Sequence, residues 1–243
     1  MTAPGITTQR RPTTWPSLAE PRPVRDPRRF GKYLAAVIVL IPATSVAVGR
    51  LFATDGSNPR ATLDLIAANP DRQIIFALLG YLGLLTAVPA FLAAARLCRR
   101  RRPALTMIAL VVNHSALLGA LAISTINSLY LVGGLLPASQ RDAAAAVIER
   151  MQSSRVALLS TDLFVFGHIA GAILLGLALR GSIATLGWMA MLLTTPTHVL
   201  AVVVLQMPGV DTLAWLLMTV GFAFCAAAII RPPRDPDIAR PTS

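Results

Sequence analysis

The sequence predicts an all-α protein, a polytopic membrane bundle of six transmembrane helices with two short outer surface helices. Composition is the first reason: 55% of the residues are apolar and the mean hydropathy is +0.64. Only 14% are charged, against about a quarter in soluble domains. The second reason is length, because a helix needs about 20 apolar residues to cross a hydrocarbon core of ~30 Å. Helices are expected because the alternating pattern of a barrel strand is absent. The six segments lie at about 32–51, 74–97, 104–129, 159–180, 183–206 and 210–230.

The charges divide unequally between the two sides that six spans would create. The two tails with the second and fourth connections hold 16 of the 22 lysines and arginines and four acids, a balance of +12. The other three connections hold six arginines and seven acids, a balance of −1. Basic residues are enriched on the cytoplasmic side of membrane proteins, so both termini are predicted to be cytoplasmic. This distribution explains the net charge of +11 without a nucleic-acid partner.

The two tails are predicted to be disordered. Residues 1–31 form a basic cytoplasmic tail with six prolines, and residues 231–243 contain four more. Proline interrupts backbone hydrogen bonding, and neither tail has enough apolar surface to offset the entropy of ordering. Residues 32–230 then form the six-helix transmembrane domain. The first span is predicted to be retained and bent at Pro42, because it is longer than the core of a signal peptide.

Two connections are predicted to carry the outer surface helices. Asn58 before Pro59 suits a helix start and Asn69-Pro70 its end, which predicts a helix over 59–68. In the connection 131–158, Ser139 and Asp142 have the spacing of a capping box, which predicts a helix to about Met151.

The fourth span contains the most informative residue of the chain. His168 lies inside Gly167-x-x-x-Gly171, a spacing that lets two helices approach closely. An ionisable side chain in a membrane is costly and rarely faces lipid, so His168 is predicted to face other helices. Gly167 and Gly171 are predicted to pack against a neighbouring helix.

All three histidines fall within predicted spans. His114 and His168 each lie 12 residues from an arginine at a span end, or ~18 Å at 1.5 Å per residue. His198 and Tyr81 reach a similar level, and Asn113 is adjacent to His114. These five residues are the candidates for a shared interior pocket, with His168 and His198 expected to be closest because their spans share the shortest connection.

Several functions remain open for this pocket. The histidines can bond hydroxyls or amides across helix interfaces in a membrane scaffold. The pocket can instead bind a lipid or a hydrophobic or amphipathic small molecule. In the alternative of a redox subunit, His168, His198 and His114 would bind haem b or a transition metal, although no cofactor is predicted. A small-solute transporter is the fourth possibility. No phosphate-binding loop, nucleophile elbow or zinc-protease helix occurs, so an enzyme of soluble type is not expected.

The segment 30–231 resembles a six-span actinobacterial integral membrane protein family of unknown function. The resemblance rests on Gly167-His168, on the end of the fourth span at Gly176–Arg180, on Leu186-Gly187-Trp188, and on Pro196 with His198. It implies the six-span architecture and a bacterial plasma-membrane location. It implies no activity or catalytic residues, and the oligomeric state and partner proteins stay open.

Overall fold

The computed structural model describes residues 27–205 and 208–231, and the regular elements of these residues are all helical. Eight α-helices follow one another in this part of the chain. A 3-10 turn, Ala138–Gln140, precedes the fifth, and a π-helical segment, Leu200–Val204, follows the seventh. The helices are α1 Pro27–Arg50, α2 Pro59–Ala68, α3 Pro70–Cys98, α4 Pro103–Gly134, α5 Arg141–Gln152, α6 Arg155–Leu179, α7 Thr185–Val199 and α8 Pro208–Ile230.

Five of these helices are long and apolar enough to cross a membrane, as in a multi-pass membrane protein. They are α1, α3, α4, α6 and α8, with mean hydropathies of 1.8 to 2.3 over their most apolar stretches. The fifth predicted span, 183–206, is not one continuous α-helix. Its α-helical part, α7, has 15 residues and therefore rises only ~22 Å. Beyond Val199 the backbone bonds shift to the wider π spacing, with Leu205 N donating to Leu200 O at 2.9 Å.

Helix ends also differ from the predicted boundaries. α1 begins at Pro27, inside the segment 1–31 that was predicted to be disordered, because a proline is well suited to the first turn of a helix. The rest of that tail, 1–26, and residues 232–243 lie outside the described residues. α4 continues to Gly134 and α6 begins at Arg155, so both are longer at these ends than the predicted spans 104–129 and 159–180.

The bundle is held together by small side chains and close helix contacts. α4 packs along α6, α1 lies between α3 and α8, and α7 contacts α6 and α8. Small residues let the backbones approach, and a β-carbon added at Gly167 would lie 3.0 Å from that of Ala116 on α4. The core is rich in alanine and has few large side chains: Val39, Leu175, Leu179, Met191, Met218 and Phe222.

The short turn between α6 and α7 is stabilised by the arginines after α3. Gly181 has a φ of 82°, which favours glycine. Arg101 donates to the carbonyl of Gly181, and Arg102 donates to that of Leu177 near the end of α6. These cations therefore lie at the C-terminal end of α6, where a positive charge is favourable.

α2 and α5 pack together against one end of α4. Leu63 and Ile148 are buried in this cluster. α2 begins where the sequence predicted, with the side chain of Asn58 accepting from Ala61 N at 2.9 Å. The predicted capping box of α5 does not form, because the 3-10 turn precedes the helix and Asp142 bonds Arg60 Nη1 at 2.9 Å instead.

A second ionic link joins the same two helices through Asp64. Its carboxylate accepts from Arg60 Nε and from Arg141 Nη1, each at 3.0 Å. These two guanidinium groups lower the pKa of Asp64 below its usual value of 3.8. The ionic contacts therefore link α2 and α5 beside their small apolar cluster.

The outside of the bundle is strongly apolar. Leu85, Val156, Leu159 and Phe166 are each at least 68% exposed, on α3 and α6. Soluble proteins rarely expose contiguous apolar surface on this scale, whereas a helix in lipid must do so.

Candidate functional site

A chain of four polar side chains joins four helices at one level of the bundle. Arg50, at the end of α1, places Nε 3.1 Å from Asp211 Oδ2 on α8. The other carboxylate oxygen, Asp211 Oδ1, lies 2.6 Å from His198 Nδ1 on α7. His198 Nε2 lies 3.3 Å from His168 Nε2 on α6. Asp211 and His198 are buried, with 5% and 8% of their surfaces exposed, whereas Arg50 keeps 35% of its side chain exposed.

The contact with Asp211 determines the proton on one ring nitrogen, His198 Nδ1. A carboxylate only accepts hydrogen bonds, so His198 Nδ1 donates to Asp211. The proton between the two Nε2 atoms can belong to either ring, and if both imidazoles are neutral, His168 Nε2–H donates and His198 Nε2 accepts. The lone pair of neutral His168 is consequently on Nδ1, for which the described residues provide no hydrogen-bond partner. The chain of four polar side chains thus ends at His168 Nδ1, a hydrogen-bond acceptor that is free in this tautomer.

Aromatic rings fix the orientation of His168. Its ring lies between Trp215, at a centroid distance of 4.6 Å and an interplanar angle of 25°, and Phe164, at 5.7 Å and 16°. Trp215 also meets His198 edge-on, with centroids 5.2 Å apart. Stacked rings restrict the torsion of an imidazole, so His168 is held for its contact with His198.

Helical spacing explains why these residues meet. Phe164 and His168 are four residues apart on α6, and Asp211 and Trp215 are four apart on α8, so each pair shares one face of its helix. His198 lies at the end of α7, just before the π-helical segment. The site therefore lies where α1 and α7 end and α8 begins.

A cavity of about 600 Å³ lies beside this chain, and His168, Trp215 and Arg50 form part of its wall. This volume is within the range of pockets that bind small molecules, about 300–1,000 Å³. The cavity reaches the exposed residues Asp55 and Asn58 in the connection between α1 and α2. It is therefore an open pocket with a mouth at that end of the bundle.

The wall of the cavity changes from apolar to polar along its length. By their positions along the helices, the residues at the inner end are mainly aromatic and aliphatic, Leu84, Phe91, Met218 and Phe222, together with the amide of Asn113. From the level of Arg50 to the mouth, the wall includes Asp55, Gln73, Asn127, Tyr130, Gln152 and Thr161.

Gln73 is an unsatisfied polar group in this wall. It is 97% buried, with 3% of its surface exposed, and its Oε1 accepts no hydrogen bond from the residues described. A buried carbonyl without a partner typically costs about 1–3 kcal/mol. A bound molecule with a hydrogen-bond donor would remove this cost.

Three residues singled out in the sequence lie between α4 and α6. Asn113 lines the cavity and is buried, and its Nδ2 donates to Ala109 O at 2.8 Å and to Gly171 O at 3.1 Å. Gly167 contacts the backbone of Ala116, and a β-carbon at Gly171 would overlap the amide of Asn113. Asn113 thus links the two helices where the glycines let them approach.

Two other residues from the predicted pocket are placed elsewhere. His114 Nδ1 donates to Leu110 O of its own helix at 2.6 Å, and its ring is not part of the cavity wall. Tyr81 is 39% exposed and bonds Ser128 Oγ at 2.7 Å. Equal depth did not bring these side chains to His168, because each points to a different side of its helix.

The arrangement of the histidines bears on the haem and metal hypotheses. His168 Nε2 and His198 Nε2 face each other at hydrogen-bond distance, which leaves no space for a macrocycle between them. Within 27–205 and 208–231, no group of three or more His, Cys, Asp or Glu side chains is placed to hold a metal ion. The third proposed ligand, His114, is bonded within its own helix.

Sequence analysis missed Arg50, Asp211, Trp215 and Phe164. The sequence shows Asp211 and Trp215 only as residues at the outer end of the sixth span, and Arg50 only as a charge in a connection. One pattern could have indicated them: an acid and an aromatic residue four apart at the start of a span, with an arginine at the end of another on the same side.

Comparison of the chain with known protein families, with curated proteins and with solved structures found no match. The resemblance to an actinobacterial family therefore stays a prediction. Function must be argued from the cavity and the four-residue chain.

Proposed function

We propose that this protein is a bacterial plasma-membrane protein that binds an amphipathic small molecule or lipid in the cavity beside His168. Its apolar part would occupy the inner end, against Phe91, Met218 and Phe222, and its polar end would lie at the level of Arg50 and Gln73. The observation that carries the proposal is the change from apolar to polar wall within a single 600 Å³ cavity.

The proposal includes six spans with both termini in the cytoplasm. α7 and the π-helical segment together would form the fifth span, over 185–204. In this topology the α1–α2 connection is outside the cell, so the cavity would open outwards. α2 and α5 would then be the two outer surface helices.

Cysteine labelling tests the topology. Ser57→Cys lies in the exposed α1–α2 connection, and Arg100→Cys lies in the exposed α3–α4 connection. The native Cys98 and Cys225 are fully buried, so they should give little background. We expect a membrane-impermeant maleimide added to intact cells to label only Ser57→Cys. Labelling of only Arg100→Cys would show the opposite orientation.

Trp215 can report on occupancy of the cavity. It is 8% exposed and lines the cavity, whereas Trp188 lies beside Arg180 at the end of α6. Replacing Trp15 and Trp188 by Phe leaves Trp215 as the single tryptophan. We expect ω-bromodecanol to quench it saturably in nanodiscs, since bromine quenches tryptophan on close approach, and we expect unlabelled decanol to compete.

Two matched substitutions on α4 distinguish the cavity from the lipid. Ala120 lines the cavity, and its neighbour Leu121 is 49% exposed on the outside of the helix. Ala120→Phe fills part of the cavity and is expected to weaken binding by about tenfold or more. Leu121→Phe is expected to leave binding unchanged. Equal quenching in both variants would mean that the probe reaches Trp215 from the bilayer, and the proposal would be wrong.

A further inference from the structure

We infer that the ligand of this cavity is an amphipathic carboxylic acid, which binds together with one proton taken up by the His168–His198 pair. The inference rests on the proposed function and adds the chemistry of the ligand's polar end. Its carboxylate would lie between Arg50 and His168, and its alkyl chain would extend towards Phe91 and Phe222.

Arg50 is the cationic group available to such a ligand. It lines the cavity with 35% of its side chain exposed. Only Nε is used in the contact with Asp211, so the other donors of the guanidinium can meet a carboxylate. The amide of Gln73 lies in the same wall and can donate a further hydrogen bond.

Charge balance is the reason for the proton. The positive charge of Arg50 and the negative charge of Asp211 cancel, so with both imidazoles in their neutral forms the four-residue chain carries no net charge. A bound carboxylate would then leave one uncompensated negative charge beside the buried Asp211 and His198, which is costly. One proton on the imidazole pair restores neutrality.

The four-residue chain provides a place for that proton. The ligand is an ionised carboxylate in neutral water, so the proton comes from the solvent, and the free lone pair of His168 Nδ1 can take it up. The proton on His168 Nε2 can then pass along the hydrogen bond to His198 Nε2. His198 becomes a cation with Nδ1–H directed at Asp211, so the new positive charge lies against an existing carboxylate.

Few other titratable groups face His168. Arg50 approaches from α1, His198 from α7 and Asp211 from α8. On the cavity wall, α4 contributes the phenol of Tyr130, α3 contributes no titratable side chain, and the α1–α2 connection contributes Asp55 at the mouth. On α6 itself, Asp162 is six residues before His168 and does not line the cavity.

The test compares the binding of ω-bromodecanoic acid and of ω-bromodecanol to the protein variant in which Trp215 is the single tryptophan. In nanodiscs, with empty nanodiscs subtracted, we expect the acid to bind at least about tenfold more tightly than the alcohol near pH 6. Its dissociation constant should rise by up to about tenfold per pH unit between about pH 6 and about pH 8, because one proton is bound with it. The alcohol should show no such dependence.

Calorimetry in two buffers of different ionisation enthalpy measures the proton directly. We expect uptake of about one proton per acid bound and none per alcohol. Asp211→Asn removes the charge that stabilises the His198 cation, and His168→Phe keeps the stacked ring without nitrogen. Both should lose the proton uptake. His114→Gln is the matched control outside the cavity wall and should retain both the proton uptake and alcohol binding.

Two outcomes would overturn the inference while the proposed function stands: acid and alcohol binding with equal affinity, or acid binding without proton uptake. Loss of alcohol binding in both variants would indicate misfolding. In that case, calorimetry of the unsubstituted protein in the two buffers decides whether a proton is taken up with the acid. Alcohol binding that is insensitive to Ala120→Phe would refute the proposed function itself, and this inference with it.

Discussion

Gly119→Ala is the sharpest test of the packing between α4 and α6. A β-carbon at Gly119 would overlap the carbonyl oxygen of Ser160 and lie 2.7 Å from Phe164 N, whereas ordinary contacts begin at 3.4 Å. Both contacts are with backbone, so the helices would have to separate by ~0.7 Å or more. Overpacking of this kind costs about 1–3 kcal/mol, which exceeds the gain of about 0.5–1 kcal/mol from removing a helical glycine.

Gly80→Ala is the matched control. A β-carbon at Gly80, in the middle of α3, would meet nothing within 4 Å, so only the gain from removing glycine applies. We therefore expect the two substitutions to shift thermal stability in opposite directions, measured by circular dichroism of the purified protein in detergent. At about 2–4 °C per kcal/mol, the separation between the two variants is measurable. If Gly119→Ala is as stable as Gly80→Ala, the close approach of α4 and α6 at Ser160 is refuted.

Two further predictions concern α2. The pKa of Asp64 is held below 3.8 by Arg60 and Arg141, so its stabilising contribution is present above pH 3.8 and is lost as the pH falls through the lowered value. The stability difference between the protein and Asp64→Asn should therefore shrink under acid conditions, and a constant difference would contradict this. Ile66→Ala should destabilise the protein by about 2–5 kcal/mol, because Ile66 is fully buried. Leu65→Ala, at a side chain 47% exposed, should cost much less in the same denaturation assay.

Helix positions could be predicted from the sequence because they depend on local properties. Apolar length and composition identify five of the spans, and Asn58 with Pro59 marks the start of α2. The break after Val199 was not predicted. The segment after Val199 stays uniformly apolar in the sequence, so no local signal marks the shift to π spacing at Leu200.

The glycines and histidines show how far local patterns extend into tertiary structure. The spacing of Gly167 and Gly171 predicted a close helix contact, and α4 lies against both. The spacing could not identify the partner helix or the amide of Asn113 beneath Gly171. The short connection between α6 and α7 makes these two helices neighbours, which limits the distance between His168 and His198.

By itself, the sequence determined the class of the protein. The free energy of placing apolar surface in water, or charge in lipid, adds up residue by residue along the sequence. The grouping of Arg50, Asp211, His198 and His168 was decided only by the tertiary structure. These residues come from four helices, and their meeting depends on how each helix is rotated about its axis. A rotation of ~100° per residue separates His114, which bonds its own helix, from Asn113, which lines the cavity. Rotation is set by the packing of all the neighbouring helices together, so no single segment encodes it.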